Sequence, residues 1–217
     1  MASTTIENYV KAIFFAQQKN PDGPVPMGLI SKALRVVPGT ATTMVKAMAK
    51  DKLLNYKPRV GVTLTGKGTK LAIRMIRRHR LIEVFLVEVL KLDWGEIHED
   101  AEELEHVVSD RFLEKIDELC NYPEFDPHGD PIPSADGTFK PLKHKSLIDC
   151  PTARSLSIQR VLDQEAAFLK FAMDNGLTPG SAIEVIERNP IAEAITVNLD
   201  HGQLSLGAKV AEKILVA

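Results

Sequence analysis

Hydrophobic residues recur every three or four positions in the first third of the chain, and this spacing predicts three short helices. They span residues 4–19, 26–35 and 39–52, with a turn of about four residues between the last two. Two strand-like runs follow at 53–56 and 60–64, separated by Lys-Pro-Arg. Three helices and a hairpin in this order predict a winged helix-turn-helix, in which the hairpin forms the wing.

The helical spacing continues in two longer segments, which we predict as single helices at 65–90 and 97–119. Six prolines between residues 120 and 151 favour an extended segment that leads to a linker. A last helix at 164–175 precedes short strand-like runs with tight turns, which favour a small SH3-like β-barrel. The fold class expected is therefore mainly α, with a β-rich C-terminal domain.

Charge is distributed unevenly along the chain, although the formal net charge is only -2. Residues 1–80 carry 15 Lys and Arg against 3 Asp and Glu, a net of +12, whereas residues 81–217 carry 12 against 26, a net of -14. A basic N-terminal part is the pattern expected of a module that binds the phosphates of nucleic acid. A solvated basic face is the alternative reading, but so large a difference at one boundary favours DNA.

In a winged helix the second helix of the helix-turn-helix enters the major groove, and the wing contacts phosphates. Short hydroxyls and a lysine on that helix can contact base edges and thymine methyl groups. The DNA-binding candidates are Thr40, Thr42, Thr43, Lys46, Lys57 and Arg59. Each has an alternative reading as ordinary solvated surface.

Two imidazoles and two carboxylates share one face of the helix predicted at 97–119. His98, Glu102, Glu105 and His106 stand at spacings of four, three and one, which places them within an arc of about 80–100°. Such a stripe is unusual both in a hydrophobic core and on a typical surface, but its residues can bind a divalent metal ion. On the preceding helix, His79 and Glu83 stand one turn apart and can complete the metal site, although such a pair alone is usually a surface contact.

Other features limit the class of protein. The chain shows no charged-then-apolar leader and no apolar run of membrane length, so we expect a cytoplasmic protein. Two cysteines do not suggest a disulfide framework. The apolar positions of the helices at 65–90 and 97–119 exceed what one helical hairpin needs; they either bury a homodimer interface or pack under the C-terminal domain.

The whole chain resembles the diphtheria-toxin-repressor family of iron- and manganese-dependent transcriptional regulators. Four motifs carry the resemblance: R-R-H-R-L-I-E-V-F-L (77–86), I-H-E-D-A-E-E-L-E-H-V-V-S-D (97–110), P-H-G-D-P-I-P (127–133) and G-L-T-P-G (176–180). The resemblance implies a winged-helix domain, a helical dimerisation domain and an SH3-like domain. It also implies a homodimer that binds a palindromic DNA operator when metal is loaded.

The resemblance also implies where the metal sites lie. An ancillary site would use His79, Glu83 and His98, and a primary site would use Glu102, Glu105 and His106 with a ligand near the N-terminus. Iron-type members have Cys at the position of Glu102, so this chain looks more like the manganese type.

At the N-terminal position, manganese-type members have an Asp and a Glu, where this chain has Asn8 and Lys11. The Asn8 side chain can offer a carbonyl oxygen, whereas a protonated Lys11 cannot be a ligand. Some three-domain members use Glu83 with positions matching Asp126, His128 and Asp163; Glu165 is a weaker candidate.

The predicted domains are a winged-helix DNA-binding domain at 1–75, a helical metal-binding and dimerisation domain at 76–141, a linker at 142–153 and an SH3-like domain at 154–217. All predicted ligands are oxygen or imidazole nitrogen, which favours Mn²⁺ or Fe²⁺, although Zn²⁺, Co²⁺ and Ni²⁺ also bind such sites in vitro. We expect a metal-dependent repressor of metal-uptake genes that binds double-stranded operator DNA and no membrane.

Two other readings stay open. The first is a winged-helix regulator whose metal site is structural or vestigial, which the residues Asn8 and Lys11 favour. The second is a helical metalloenzyme. Three observations argue against an enzyme. The sequence has no duplicated Glu-x-x-His motif, and it indicates no substrate cleft. A metalloenzyme would also not explain the basic N-terminal part. We therefore expect no catalytic residues and no enzyme.

Overall fold

The computed structural model describes residues 3–21, 23–139 and 144–217. Its contacts divide the chain into two compact units. Unit 1 comprises Met1–His79, Glu105–Val107 and Pro133–Thr138, and unit 2 comprises Arg80–Leu104, Val108–Ile132 and Phe139–Ala217. The domain boundaries expected from the sequence remain predictions.

Unit 1 begins with the predicted winged helix. Its elements are α1 Thr4–Lys19, α2 Met27–Ala33, α3 Pro38–Lys50, β1 Leu54–Lys57 and β2 Gly61–Leu64. Local sequence explains where these helices begin: the Ser3 hydroxyl accepts a hydrogen bond from the backbone N–H of Ile6, and Pro38 occupies the first turn of α3.

The wing is an antiparallel hairpin in which Leu54 pairs with Leu64 and Lys57 with Gly61. Val25 adds an isolated bridge to Val62, so the segment before α2 lies along the hairpin. The apolar faces of the three helices are buried, as their spacing predicted. These elements confirm the winged helix, with strand boundaries displaced by one residue.

The central helices differ from the prediction at one point. They are α4 Gly66–Val84, continued by a π-helical turn Phe85–Val89, then α5 Ile97–Val107 and α6 Asp110–Leu119. The single helix expected at 97–119 is wrong, because Val108 is extended and the Ser109 hydroxyl accepts from the N–H of Phe112 to cap a new helix.

In the helical part of unit 2, apolar side chains from several helices form one core. Its buried residues are Leu81, Ile82, Val84, Leu86, Ile97, Ala101, Leu113, Ile116 and Ile132. Because this core packs the end of α4 against the start of α5, it holds the polar residues on those helices at fixed positions.

The C-terminal part of unit 2 is the β-rich domain that the sequence predicts. Its strands are β3 Lys145–Ser146, β4 Ser155–Val161, β5 Ala182–Asn189, β6 Ala194–Leu199, β7 Gly202–Gly207 and β8 Ile214–Val216, in the antiparallel order β3-β8-β4-β5-β6-β7. Two helices accompany them, α7 Ala166–Asp174 and α8 Ala208–Ala211. Strands β3 and β4 and the short helix α8 were not expected. Among the described residues, no helix is long and apolar enough to span a membrane.

The loop P-H-G-D-P at 127–131 lies directly against strand β4. The N–H of Val161 donates to the carbonyl oxygen of His128 at 2.9 Å. Gly129 has a φ of +85°, and a Cβ atom there would lie 1.9 Å from the carbonyl oxygen of Gln159. Only glycine permits both this backbone conformation and this close approach, so Gly129 positions His128.

We expect Gly129→Ala to destabilise the protein by more than about 3 kcal/mol, because backbone strain and a steric clash add at one position. Gly180→Ala is the matched control, since Gly180 has a similar φ of +91° but a Cβ there meets no atom of the described residues within 4 Å. That control should cost only about 1–2 kcal/mol. Urea unfolding measures both, and equal losses would contradict the close approach of the loop to β4.

Candidate metal centre and DNA-binding surface

A buried carboxylate near the end of α4 is the centre of a polar cluster in unit 2. Glu83 is fully buried, and its Oε1 atom lies 3.4 Å from Nδ1 of His98 and 3.7 Å from Nε2 of His128. Ligand atoms that each lie about 2.0–2.2 Å from one ion are about 3.0–3.6 Å apart. Each of the two imidazoles therefore lies at nearly the distance from Glu83 that two ligands of one ion have.

His98 connects this carboxylate to a second one. Its Nε2 atom lies 3.8 Å from Oε1 of Glu102, one turn further along α5. The side chains of His98 and Glu102 are 38% and 35% exposed, whereas Glu83 and His128 are fully buried. The cluster is thus enclosed on one side and open to solvent on the other, which gives an ion access.

His128 reaches the cluster from the loop at 127–131. The Trp94 ring lies against its imidazole, with ring centroids 5.1 Å apart and planes 33° from parallel. Aromatic packing, together with the backbone bond to Val161, fixes the ring orientation.

Asp126, another predicted ligand, folds the same loop. Its Oδ1 atom accepts from the backbone N–H groups of His128 and Asp130, each at 2.9 Å, and its Oδ2 atom lies 3.5 Å from Nε of Arg80. Burial raises the pKa of Asp126 well above its ordinary value, the charges of Asp130 and Glu83 raise it further, and Arg80 opposes them. These contacts favour a role in shaping the loop, and Asp126 as a ligand stays a prediction.

Asp130 and two arginines form a network that the sequence reasoning missed. Arg80 donates to the Oδ1 atom of Asp130 at 2.9 Å and to the carbonyl oxygen of Pro131 at 2.5 Å. Arg160 of β4 also pairs with that Oδ1 atom, and Gln164 donates to Oδ2 at 3.3 Å. The aspartate inside the P-H-G-D-P motif was the one feature of the sequence that could have indicated this network. The network joins the loop, α4 and β4.

Asp163, predicted as a ligand from the C-terminal domain, is engaged locally. Lys213 donates to its Oδ2 atom, and the N–H of Glu165 donates to its Oδ1 atom at 3.0 Å. Partial burial is the largest single influence and favours a higher pKa, but the hydrogen bonds from Lys213 and from the N–H of Glu165, together with the charge of Lys213, leave the pKa of Asp163 lowered. Glu165 itself is exposed at the start of α7.

A second buried carboxylate, Glu105 in the last turn of α5, is the centre of a cluster in unit 1. The ammonium of Lys11 donates to both of its oxygens, at 2.8 and 2.9 Å. Nδ1 of His79 lies 2.7 Å from the Oε2 atom, and Nε of Arg78 donates to the backbone carbonyl of Glu105 at 2.6 Å. Glu105 is thus surrounded by positive and N–H groups.

His106 extends this cluster to the first helix. Its Nδ1 atom lies 2.7 Å from the Oε2 atom of Glu7, and its Nε2 atom lies 3.5 Å from Glu105. Asn8, the predicted N-terminal ligand, has a buried Oδ1 atom without a hydrogen-bond partner among the described residues. The carboxylate that meets His106 therefore comes from Glu7, one residue earlier, which sequence reasoning missed.

Each unit, taken by itself, brings several of the predicted ligands together. Unit 1 brings together His79, Glu105 and His106, with Glu7 and Lys11. In unit 2, Glu83, His98, Glu102 and His128 form the group that we call the Glu83 cluster. The full membership of each metal site, as expected from the sequence, stays a prediction.

The predicted DNA contacts lie on α3 and on the wing. Thr40, Thr43 and Lys46 are exposed on α3, and Thr42 is half-buried. The hydroxyls of Thr42 and Thr43 donate to backbone carbonyls one turn earlier, at 2.8 and 3.0 Å. Their oxygens can still accept hydrogen bonds.

On the wing, Lys57 and Arg59 are exposed, and Arg59 lies in the turn with a φ of +65°. The cationic ends of both side chains can therefore reach a DNA backbone. Their contacts with DNA stay predictions.

Comparison with known proteins gives consistent matches along the chain. Residues 1–62 match the iron dependent repressor N-terminal DNA-binding domain, residues 65–134 its metal-binding and dimerisation domain, and residues 145–217 the FeoA domain. The iron-dependent repressor IdeR of Mycobacterium leprae is 27% identical over 98% of this chain and 96% of its own length. The regulator MntR of Bacillus subtilis is 33% identical over 58% of this chain and 87% of its own length.

A solved structure gives the same result over the whole length. A manganese-dependent transcriptional repressor in complex with manganese superimposes with a TM-score of 0.87 and 34% identity. The match covers 98% of this chain and 99% of that one.

The lowered pKa of Asp163 has a testable consequence for stability. Asp163→Asn should lower the free energy of unfolding at neutral pH by up to about 1 kcal/mol, because the ion pair with the partly exposed Lys213 is lost. A carboxyl whose pKa is lowered on folding stabilises the native state above its unfolded pKa, about 3.9. The difference from wild type should therefore shrink as the pH falls below that value.

Urea unfolding at pH 7 and pH 3 measures this effect, with the exposed Asp174→Asn as the matched control. Mn²⁺ titration of Asp163→Asn distinguishes a structural role of Asp163 from a role as a metal ligand. A structural role leaves Mn²⁺ affinity unchanged, whereas a loss of more than about 100-fold, beyond the range of residues that only support a ligand, would show that Asp163 is a ligand.

Proposed function

Because this chain belongs to the diphtheria-toxin-repressor family of metal-dependent, DNA-binding transcriptional repressors, we propose that Mn²⁺ or Fe²⁺ at the Glu83 cluster makes it bind operator DNA as a homodimer. One observation supports the choice of site above others: two imidazoles lie within 3.7 Å of one oxygen of the buried Glu83. The family gives the general function, and this geometry supports the proposed choice of residues.

The donor set of the Glu83 cluster suits Mn²⁺ or Fe²⁺. Glu83, His98 and His128 would hold the ion, and Glu102 would orient the His98 ring from its other nitrogen. Carboxylate and imidazole without thiolate favour these metals, while Zn²⁺, Co²⁺ and Ni²⁺ bind such sites in vitro. When bound, the ion supplies positive charge that compensates the buried carboxylate of Glu83.

The residues around an ion at this site come from separate elements of unit 2. Glu83 lies on α4, His98 on α5, and His128 on the loop that Asp126 and Arg80 fold. Binding by all three would favour one arrangement of these elements. Metal thus acts as a ligand with higher affinity for the DNA-competent state, and operator DNA must in turn tighten metal binding.

On the DNA side, α3 would enter the major groove and the wing would contact phosphates. Exposed threonines and Lys46 on α3 are the base-edge candidates, and Lys57 and Arg59 are the phosphate candidates. A homodimer places two such modules on successive major grooves, about 34 Å apart, which requires a palindromic operator.

We propose that a second copy of the chain covers an apolar surface on unit 2. Its exposed residues are Val89, Leu90, Leu92, Phe112, Leu119, Tyr122 and Phe125. So many large apolar side chains on one short stretch of helices and the following loop favour a protein interface. The match of residues 65–134 to a dimerisation domain supports the same assignment.

In this proposal the protein has no catalytic activity, and it works in the cytoplasm, where bacterial and archaeal operators lie. Repression of metal-uptake genes is the physiological role that best fits a repressor activated by the metal concerned. Genes of metal export or virulence are the other targets that a reporter assay would distinguish.

Glu83→Gln tests the metal site. An amide keeps the shape of the side chain but removes the negative charge, so Mn²⁺ affinity should fall by about 100-fold or more and metal-dependent operator binding should be lost. Calorimetric Mn²⁺ titration and gel shifts with added Mn²⁺ or chelator measure the two effects. Glu103→Gln, on the exposed side of α5, is the matched control and should behave as wild type. Unchanged metal dependence in Glu83→Gln would exclude the Glu83 cluster.

Arg59→Ala tests the wing. Loss of one phosphate contact should weaken binding to specific and generic DNA alike, and it should reduce the slope of log K against log salt by about 0.9. Arg59→Lys keeps the charge at the same backbone position and should retain most of the slope. Fluorescence anisotropy between about 50 and 200 mM salt measures it. A slope that does not change in Arg59→Ala would place the wing away from DNA.

A further inference from the structure

We propose that Lys11 is a built-in cation of unit 1, which holds Glu105 so that no divalent ion binds there unless Lys11 is displaced. The proposal rests on the proposed function, in which the metal is held by the Glu83 cluster. It concerns a second group of the same ligand types, in which the chain supplies its own positive charge.

The contact geometry is that of a complete ion pair. The Lys11 ammonium hydrogen-bonds to both oxygens of Glu105, at 2.8 and 2.9 Å. The Glu105 side chain is fully buried and that of Lys11 is only 11% exposed. Imidazole nitrogens of His79 and His106 lie 2.7 and 3.5 Å from the same carboxylate. The charge of Glu105 is thus compensated without any metal ion.

An added divalent ion would have to compete with this ammonium. A metal ligated by Glu105 needs a carboxylate lone pair that Lys11 now uses, and it would repel the ammonium at close range. Withdrawing Lys11 breaks a buried, charge-assisted pair, which is costly when one partner stays buried. The residues of unit 1 therefore do not fit a divalent ion as they stand, although their carboxylates and imidazoles are metal-ligand types.

The position of Lys11 gives this pair a mechanical role. Lys11 lies on α1, which directly precedes the helix-turn-helix, and Glu105 lies in the last turn of α5. A second contact between the same two helices joins Glu7 to His106 at 2.7 Å. Within unit 1, these two pairs join the first helix of the DNA-binding part to the end of α5 without a metal ion. Metal control of DNA binding is then left to the Glu83 cluster.

Metal counting tests the proposal directly. The full-length protein and its variants are dialysed against Mn²⁺, and the bound metal is measured by mass spectrometry. The wild type should hold about one Mn²⁺ per chain, and Lys11→Gln, which removes the competing charge, should hold about two. Lys11→Arg keeps a cation and should remain at about one. The double variant Lys11→Gln with Glu105→Gln should return to one.

Thermal unfolding gives a second measurement. A ligand that binds the native state raises the Tm, and the increase is larger when the binding is tighter or when more sites are filled. Added Mn²⁺ should therefore raise the Tm of Lys11→Gln more than that of the wild type, whereas Lys11→Arg should respond as wild type.

Variants of the two glutamates in the wild-type background keep the test decisive if Lys11→Gln fails to fold. Glu105→Gln should leave the Mn²⁺ count unchanged, and loss of one Mn²⁺ in that variant would overturn the proposal. Glu83→Gln should abolish tight Mn²⁺ binding. If Glu83→Gln still holds one tight Mn²⁺ and the double variant Glu83→Gln with Glu105→Gln holds none, the ion binds at Glu105 and the role of Lys11 is overturned. If both variants still hold one, the ion binds at neither glutamate and the Glu83 cluster is refuted instead.

Discussion

A carboxylate that is removed from water must be met by positive charge or by N–H donors, and two buried glutamates impose this constraint on the structure. Glu105 meets it with the ammonium of Lys11 and the imidazole of His79. Glu83 is approached by two imidazoles, His98 and His128, at longer distances. The same requirement is met in unit 1 by an ammonium of the chain itself, and our proposal adds a divalent ion to the imidazoles that meet it in unit 2.

The surroundings of Glu83 show how the fold holds His128 beside this carboxylate. His128 is brought to it by a loop whose shape depends on Gly129 lying against β4 and on Asp126 accepting two backbone N–H groups. Arg80 and Asp130 then attach that loop to the helix that carries Glu83. The positions of His128 and Glu83 are therefore set by backbone contacts and ion pairs of the loop.

Much of the fold follows from the sequence alone. Helical spacing and the Lys-Pro-Arg turn identify the winged helix, and short strands after a helix identify the C-terminal domain. The break between α5 and α6 was missed because apolar spacing continues through it, while the cause is local: the hydroxyl of Ser109 caps a new helix. Periodicity reports which face is buried, but a single capping residue determines where a helix ends.

The candidate site was harder to predict, for a physical reason. The sequence identifies His98 and Glu102 as neighbours because they share a helix face. The partners of Glu105, by contrast, are Lys11 and His79, which lie 94 and 26 positions away in the sequence. Only the packing of α1 against the end of α5 shows that Glu7, rather than Asn8, meets His106. Residue types suffice to predict a cluster, whereas its pairings depend on tertiary contacts.

The contrast between the two clusters bears on how a repressor of this kind can be controlled. A covalently attached ammonium is always present, so the contact that it makes cannot report metal concentration. An ion from solution is present only above a threshold that its affinity sets. If Lys11 permanently ties α1 to α5, the free-energy difference between the DNA-competent and other states is smaller before metal binds. Metal binding at the Glu83 cluster then has to supply less free energy to reach the DNA-competent state. A single ion of modest affinity can therefore suffice to switch DNA binding.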